Sequence, residues 1–259
     1  SIFTSVVTHL DKMFAVDIDL KGQLPQAEIK KLKLSYGSDT NIDLRAELSD
    51  FRNLNDADVD LEVSHLKMPV KDLYEFIRIG PKDFEEISQL TALRNIDITL
   101  KAKGKMSNFN ANAKVVTDPG TITYDGRGSI RDMFSNMTYD GRVRTSNFHA
   151  ARVIGSGVGV DNLYLDVKTG VKLLSDEPLF VNADGVIGSV NYKDYVYQNL
   201  GVSGSYAGGG DIEGHVTSDT DDNQFDLMAS MNFSNQMRID VQGVVDKLFL
   251  SPIISVEQW

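Results

Sequence analysis

The 259-residue sequence contains no cysteine. Its absence excludes disulfide cross-links and thiolate chemistry, although it does not assign a redox compartment. No apolar run approaches the ~18 residues of a membrane-spanning helix. The sequence also lacks a signal peptide and an initiator methionine. We therefore expect the chain to be a segment of a longer protein, with any membrane anchor outside it.

Basic residues are scarce relative to acidic ones. The sequence has 26 lysines and arginines against 37 aspartates and glutamates, for a formal net charge of −11. An acidic surface repels phosphate backbones, so the composition predicts no nucleic-acid partner and disfavours flat binding to anionic lipid head groups. The hydrophobic content of 41% is sufficient for a sizeable core or a lined groove.

Alternation of apolar and polar residues is the dominant pattern. A period of two predicts half-buried β-strands, and the short connections predict that these strands pair antiparallel. The parity changes near Gln198 and Asn199, which indicates a β-bulge. The clearest alternating runs are 14–20, 42–48, 57–63, 96–102, 109–115 and 225–233.

One segment departs from this pattern. Residues 69–90 have apolar residues at helical spacing, with Pro69 suited to a first helical turn and Gly80–Pro81 as an interruption. We predict a short helical insertion here. It either covers the apolar surface at an open end of the sheet or docks a partner.

The sequence offers no constellation that carries chemistry. Gly155, Gly157 and Gly159 have the wrong spacing for a dinucleotide loop, and a strand pattern follows them. The four histidines are scattered, and no serine nucleophile motif occurs. The aspartate-rich stretch 219–226 is either a solvated hairpin tip or a weak calcium site. We therefore predict no enzyme, no cofactor and no metal site.

The C-terminal half resembles a known family. The pentapeptide TYDGR occurs twice, at 123–127 and 138–142, and residues 139–148 read YDGRVRTSNF. Further on, residues 190–206 read VNYKDYVYQNLGVSGSY and residues 225–233 read FDLMASMNF. These segments are similar to repeats of TamB-like proteins of the AsmA superfamily, in the form carried by Bacteroidetes. The resemblance covers roughly residues 120–250 and implies an internal repeat fragment.

The resemblance implies a mainly β fold, in which a long antiparallel sheet is folded into a taco-like apolar trough. Residues 1–116 would be a β-meander repeat with the helical insertion, and residues 117–259 a second repeat of one continuous structure. Such proteins span the periplasm from an inner-membrane anchor, which would lie outside this segment. They are associated with phospholipid transport to the outer membrane and with outer-membrane protein assembly.

The implied partners are phospholipid acyl chains and an outer-membrane barrel of the BamA/TamA type. Neighbouring repeats would add edge-to-edge contacts. One alternative is a β-sandwich interaction or adhesion module with a closed core, because a sandwich gives the same period of two. A hydrolase is ranked last, because no nucleophile or acid–base set emerges. The residues predicted to line the trough are Ile96, Ile98, Leu100, Phe225, Leu227, Met231 and Phe233.

Overall fold

The structure is a computed structural model in which the alternating segments form fourteen β-strands. It describes residues 13–22, 26–50, 53–73, 93–132, 135–154, 159–193, 195–208, 211–232 and 238–249. The strands are β1 (Phe14–Lys21), β2 (Ala27–Tyr36), β3 (Thr40–Leu48), β4 (Asp58–Pro69), β5 (Asn95–Lys105), β6 (Asn108–Thr117), β7 (Thr121–Arg131), β8 (Asn136–Ser146), β9 (Val160–Leu173), β10 (Phe180–Tyr192), β11 (Tyr195–Ala207), β12 (Asp211–Asp219), β13 (Gln224–Asn232) and β14 (Arg238–Lys247).

All fourteen strands belong to one open sheet whose spatial order is the order of the sequence. Each strand pairs antiparallel with the strands before and after it, as the short connections predict. Among the described strands, β1 and β14 have a neighbour on one side only. The predicted long antiparallel sheet is therefore confirmed. Its folding into a taco-like trough remains a prediction.

The described chain contains little helix. Residues 70–73 are helical directly after β4, and Ala151–Ile154 form a single turn between β8 and β9. Most of the predicted insertion near 69–90, from residue 74 onward, lies outside the described residues. Within the described part of the chain, no helix is long and apolar enough to cross a membrane.

The helical start at residues 70–73 is anchored to the sheet by a buried hydrogen bond. The hydroxyl of Thr40 donates to Oδ2 of Asp72 at 2.6 Å, and neither residue is exposed to solvent. Val70 and Leu73 pack with Met68 and Ile96. The chain after β4 therefore lies over the apolar side of the sheet at one end of its strands.

Irregular residues interrupt β9, β10 and β11 at one level of the sheet. Asn162 and Asn199 have φ angles of 40° and 54°, and the pairing of β9 with β10 shifts register near Ser189. Tyr197 and Leu200 lie three residues apart but belong to one core cluster. The irregularity predicted near Gln198 and Asn199 thus leaves the core side chains of both halves of β11 on the same side of the sheet.

The sheet continues across the boundary that we predict at residues 116 and 117. Here β6 pairs with β7 from Phe109–Gly128 to Val116–Thr121, and β7 pairs with β8 along its whole length. Core packing is nevertheless local, because buried residues of the described chain form three separate clusters along the sheet. They centre on Met68 and Ile96, on Ala102 and Phe109, and on Tyr197 and Leu200.

Candidate functional site

One face of the sheet carries an uninterrupted row of apolar residues, which we call the central row. Each member is the direct cross-strand partner of the next, so all of them point to the same side. The row takes one residue from every strand, and twelve are hydrophobic and two are glycine. Its members are Ile18, Leu32, Leu44, Val63, Leu100, Ala113, Tyr124, Val143, Val167, Gly185, Val202, Val216, Leu227 and Gly243.

The adjacent row on the opposite face is polar. It contains one apolar residue, Met228, among residues that are charged or can form hydrogen bonds. From β3 to β14 its members are Arg45, Glu62, Lys101, Asn112, Asp125, Arg142, Lys168, Asp184, Ser203, His215, Met228 and Gln242. From β3 to β14 the sheet therefore has an apolar face and a charged face.

Cross-strand ion pairs cover the charged face. Glu62 lies between Arg45 and Lys101, whose Nζ is 3.0 Å from Oε1 of Glu62. The hydrogen bond from Lys101 lowers the pKa of the Glu62 carboxyl. These charges stay hydrated and prevent this face from packing against an apolar partner.

A second group of ion pairs joins β8 to β9. Asp166 accepts hydrogen bonds from Arg142, including one of 2.8 Å from Nη2, and from Nε of Arg144 at 3.3 Å. The hydrogen bonds from Arg142 lower the pKa of the Asp166 carboxyl. Two arginines on one strand thus hold one carboxylate on the next.

The structure places six of the seven predicted lining residues on strands. Leu100 and Leu227 both belong to the central row, so the register joins two residues that are far apart in sequence. Ile98 and Phe225 lie two residues further along the same strands and on the same face. The backbone of Met231 pairs with that of Ile212, and Phe233 lies outside the described residues.

Ile96, another predicted lining residue, is buried. It is 5% exposed and packs against Met68 and Val70, beneath the start of the helical segment. It therefore belongs to a local core at the strand ends. Phe225 similarly packs against a cluster that includes Leu248, from the chain that follows β14.

A row of small residues runs beside the central row on the apolar face, and we call it the furrow. It crosses nine strands, from β5 to β13, and lies between the central row and a row that includes Phe109 and Tyr139. Strands are spaced ~4.8 Å apart, so nine of them span about 38 Å. The furrow residues are Ala102, Ala111, Gly126, Gly141, Thr169, Ala183, Gly204, Gly214 and Ala229.

Aromatic rings lie across glycines in part of the furrow. A β-carbon on Gly141 would be 2.6 Å from the ring of Tyr124. In the row beside the furrow, a β-carbon on Gly128 would be closer still to the ring of Phe109. The Tyr124 hydroxyl donates to the carbonyl oxygen of Arg127 at 3.0 Å, and burial raises the pKa of its phenol. Sequence reasoning did not assign these rings to the site. The repeated TYDGR was the available signal, since it contains Tyr124, Gly126, Tyr139 and Gly141.

The described residues contain no group of three or more histidine, aspartate or glutamate side chains that could hold a metal ion. In the aspartate-rich stretch, the side chain of Thr220 accepts from the N–H of Asn223 at 3.1 Å, which closes a turn. Asp226 points away to His215, whose Nε2 is 2.7 Å from Oδ1. The Asp226 carboxylate is therefore paired with a histidine on the neighbouring strand.

Comparison with protein-family models, with curated proteins and with solved structures finds no match.

Proposed function

We propose that the apolar face lines a trough that shields phospholipid acyl chains, and that the chain is a segment of a TamB-like protein. The observation that carries the proposal is the central row, which presents apolar residues or glycine on one side of all fourteen strands. A row that is continuous in this way lets an apolar ligand move along the sheet without leaving an apolar surface.

The energetics of acyl chains support this role. Transfer of one methylene group out of water is favourable by ~0.8 kcal/mol. For a sixteen-carbon acyl chain the transfer free energy is therefore about 12 kcal/mol. A surface that covers half of the chain recovers about 6 kcal/mol of this difference. That reduction lowers the barrier to movement between membranes, and it requires no covalent chemistry.

The furrow indicates how an acyl chain would be oriented on the sheet. Its small side chains lie between bulkier rows, so an extended acyl chain fits across the strands from β9 to β13. At Gly126 and Gly141 the ring of Tyr124 lies over the furrow, and an acyl chain would pass beside that ring. The right-handed twist between neighbouring strands accumulates over fourteen strands and favours coiling of the sheet. Coiling towards the apolar side produces the taco-like trough, with the ion-paired face outward in water.

The cellular setting follows from the resemblance. In this proposal the segment lies in the periplasm and is connected to an inner-membrane anchor outside the given sequence. Phospholipid transport or outer-membrane protein assembly then takes place beside a barrel partner of the BamA/TamA type. Neighbouring repeats extend the sheet by edge-to-edge contacts, for which the exposed edge strand β1 is suitable.

Photocrosslinking at adjacent positions of β13 tests the proposal. Leu227 faces the central row, whereas Asp226 faces the charged side next to His215. A photoreactive amino acid at position 227 should capture phospholipid from phosphatidylethanolamine–phosphatidylglycerol vesicles, and one at position 226 should not. Mass spectrometry of the crosslinked chain gives the result.

Equal lipid capture at both positions, or none at either, contradicts the proposal. Capture of protein alone at position 227 would instead favour the interaction module, with the apolar face as its docking surface. The two positions are neighbours on one strand, so differences in local folding do not explain a difference in capture.

A further inference from the structure

The free edge of β14 is left uncovered by the described residues that follow it. Leu248 packs into the cluster around Tyr197 and Leu200, and the ring of Phe249 stacks on Tyr195 with centroids 4.5 Å apart. The N–H of Phe249 donates to Oδ1 of Asn223 at 3.0 Å. The chain therefore turns back over the ends of β11 to β13 and away from the edge.

This edge has the features of a pairing surface. Val241, Val244 and Val245 are 59%, 61% and 49% exposed. An edge strand also presents unpaired backbone N–H and C=O groups, which readily accept another strand. The strand is ten residues long, and among the described strands it pairs only with β13.

The sequence of β14 is complementary to itself. When two copies pair antiparallel with Gln242 opposite Gln242, the register spans nearly the whole strand. It places Arg238 opposite Asp246, Ile239 opposite Val245 and Val241 opposite Gly243. No like charges meet in this register, and apolar residues meet on the apolar face.

The opposite edge lacks this complementarity. Antiparallel self-pairing of β1 centred on Ile18 sets Asp17 opposite Asp19 twice, and pairing centred on Asp17 sets that aspartate opposite itself. Like charges directly opposite each other destabilise a strand pair. Charge thus favours β14 over β1 as a self-pairing edge.

We propose that β14 is an interface with a second copy of this chain, in which the two β14 strands pair antiparallel about Gln242. The two-fold axis is perpendicular to the sheet, so the same patch serves both copies and the assembly closes at a dimer. Both apolar faces then lie on one side and form a continuous surface. The inference does not depend on the lipid proposal.

Single cysteines test this pairing, because the sequence has no cysteine of its own. Directly opposed residues of an antiparallel pair have β-carbons about 5 Å apart, close to the distance that a disulfide bridges. Under mild oxidation, Gln242→Cys should form a covalent dimer. Ala15→Cys, on exposed β1, is the matched control and should remain monomeric at the same concentration.

Charge provides a second readout. Gln242→Lys sets two lysines opposite each other and should abolish the dimer in sedimentation velocity, whereas Ala15→Lys should leave it unchanged. Circular dichroism verifies that both variants fold. A parent chain that sediments as a monomer at millimolar concentration overturns the proposal. Equal crosslinking at both edges, or an open-ended series of oligomers from head-to-tail pairing, also overturns it.

Discussion

Gly126 and Gly141 face each other across β7 and β8, and neither position has room for a β-carbon. A β-carbon on Gly126 would lie 2.5 Å from the Cα atom of Gly141 and closer still to the carbonyl oxygen of Asp140. Both obstacles are backbone atoms of the paired strand, so they cannot move without disturbing the sheet. The repeated TYDGR thus has a physical explanation, in which each copy supplies one glycine of a close pair.

Replacement of Gly126 by alanine should therefore be costly, whereas the same change at Gly214 should not. Gly214 also lies in the furrow, but the nearest atom to its β-carbon position is 4.0 Å away. We expect Gly126→Ala to lower the free energy of unfolding by about 1–3 kcal/mol, as overpacking does. Gly214→Ala should be neutral or stabilising by about 0.5 kcal/mol, because alanine restricts the unfolded chain. Urea unfolding of both variants measures the difference, and equal costs would refute this explanation.

At the scale of single elements, alternation was sufficient to predict the strands, because a half-buried strand requires a period of two. The runs at 42–48, 96–102 and 109–115 all lie within strands β3, β5 and β6. Alternation could not distinguish one open sheet from two packed sheets, since both bury one side of each strand. Nor could it align Leu100 with Leu227, because that alignment depends on the register at each of the intervening strand pairs.

Ion pairs between neighbouring strands give the charged face a dependence on pH. The hydrogen bonds from Arg142 lower the pKa of Asp166 below its value in the unfolded chain. A carboxylate of this kind stabilises the folded state above its unfolded pKa, which is about 3.9. That contribution is lost as the pH falls through the lower, folded pKa.

Asp166→Asn should accordingly make the free energy of unfolding less dependent on pH in acid. We expect the free energy of unfolding of the parent chain to fall below about pH 4, and that of the variant to fall less steeply. Asp176→Asn, in an exposed turn before β10, is the control and should follow the parent chain. Urea unfolding between pH 3 and pH 7 tests this expectation, which fails if Asp166→Asn and the parent chain have parallel profiles.

At the scale of the whole molecule, the fourteen strands follow one another in sequence order. The sheet that they form has apolar residues on one face and charged or polar residues on the other. Register shifts occur in several strand pairs, including β2–β3 and β9–β10, yet the central row passes through all of them. Tyr197 and Leu200 remain in one cluster across the irregularity at Asn199. The continuity of the apolar face is thus a property of the whole sheet, and it is the basis of the proposed function.

Phospholipid transfer between donor and acceptor vesicles tests this account most directly, with arginine at two neighbouring positions. Leu227→Arg places a charge in the central row, whereas Met228→Arg places it on the charged face, where Met228 is 60% exposed. We predict that the parent chain and Met228→Arg accelerate transfer equally, and that Leu227→Arg, although folded by circular dichroism, accelerates it several-fold less. Equal transfer by both variants would show that lipid does not move along the central row. Unfolding of Leu227→Arg alone would show that the apolar face is an ordinary packed core.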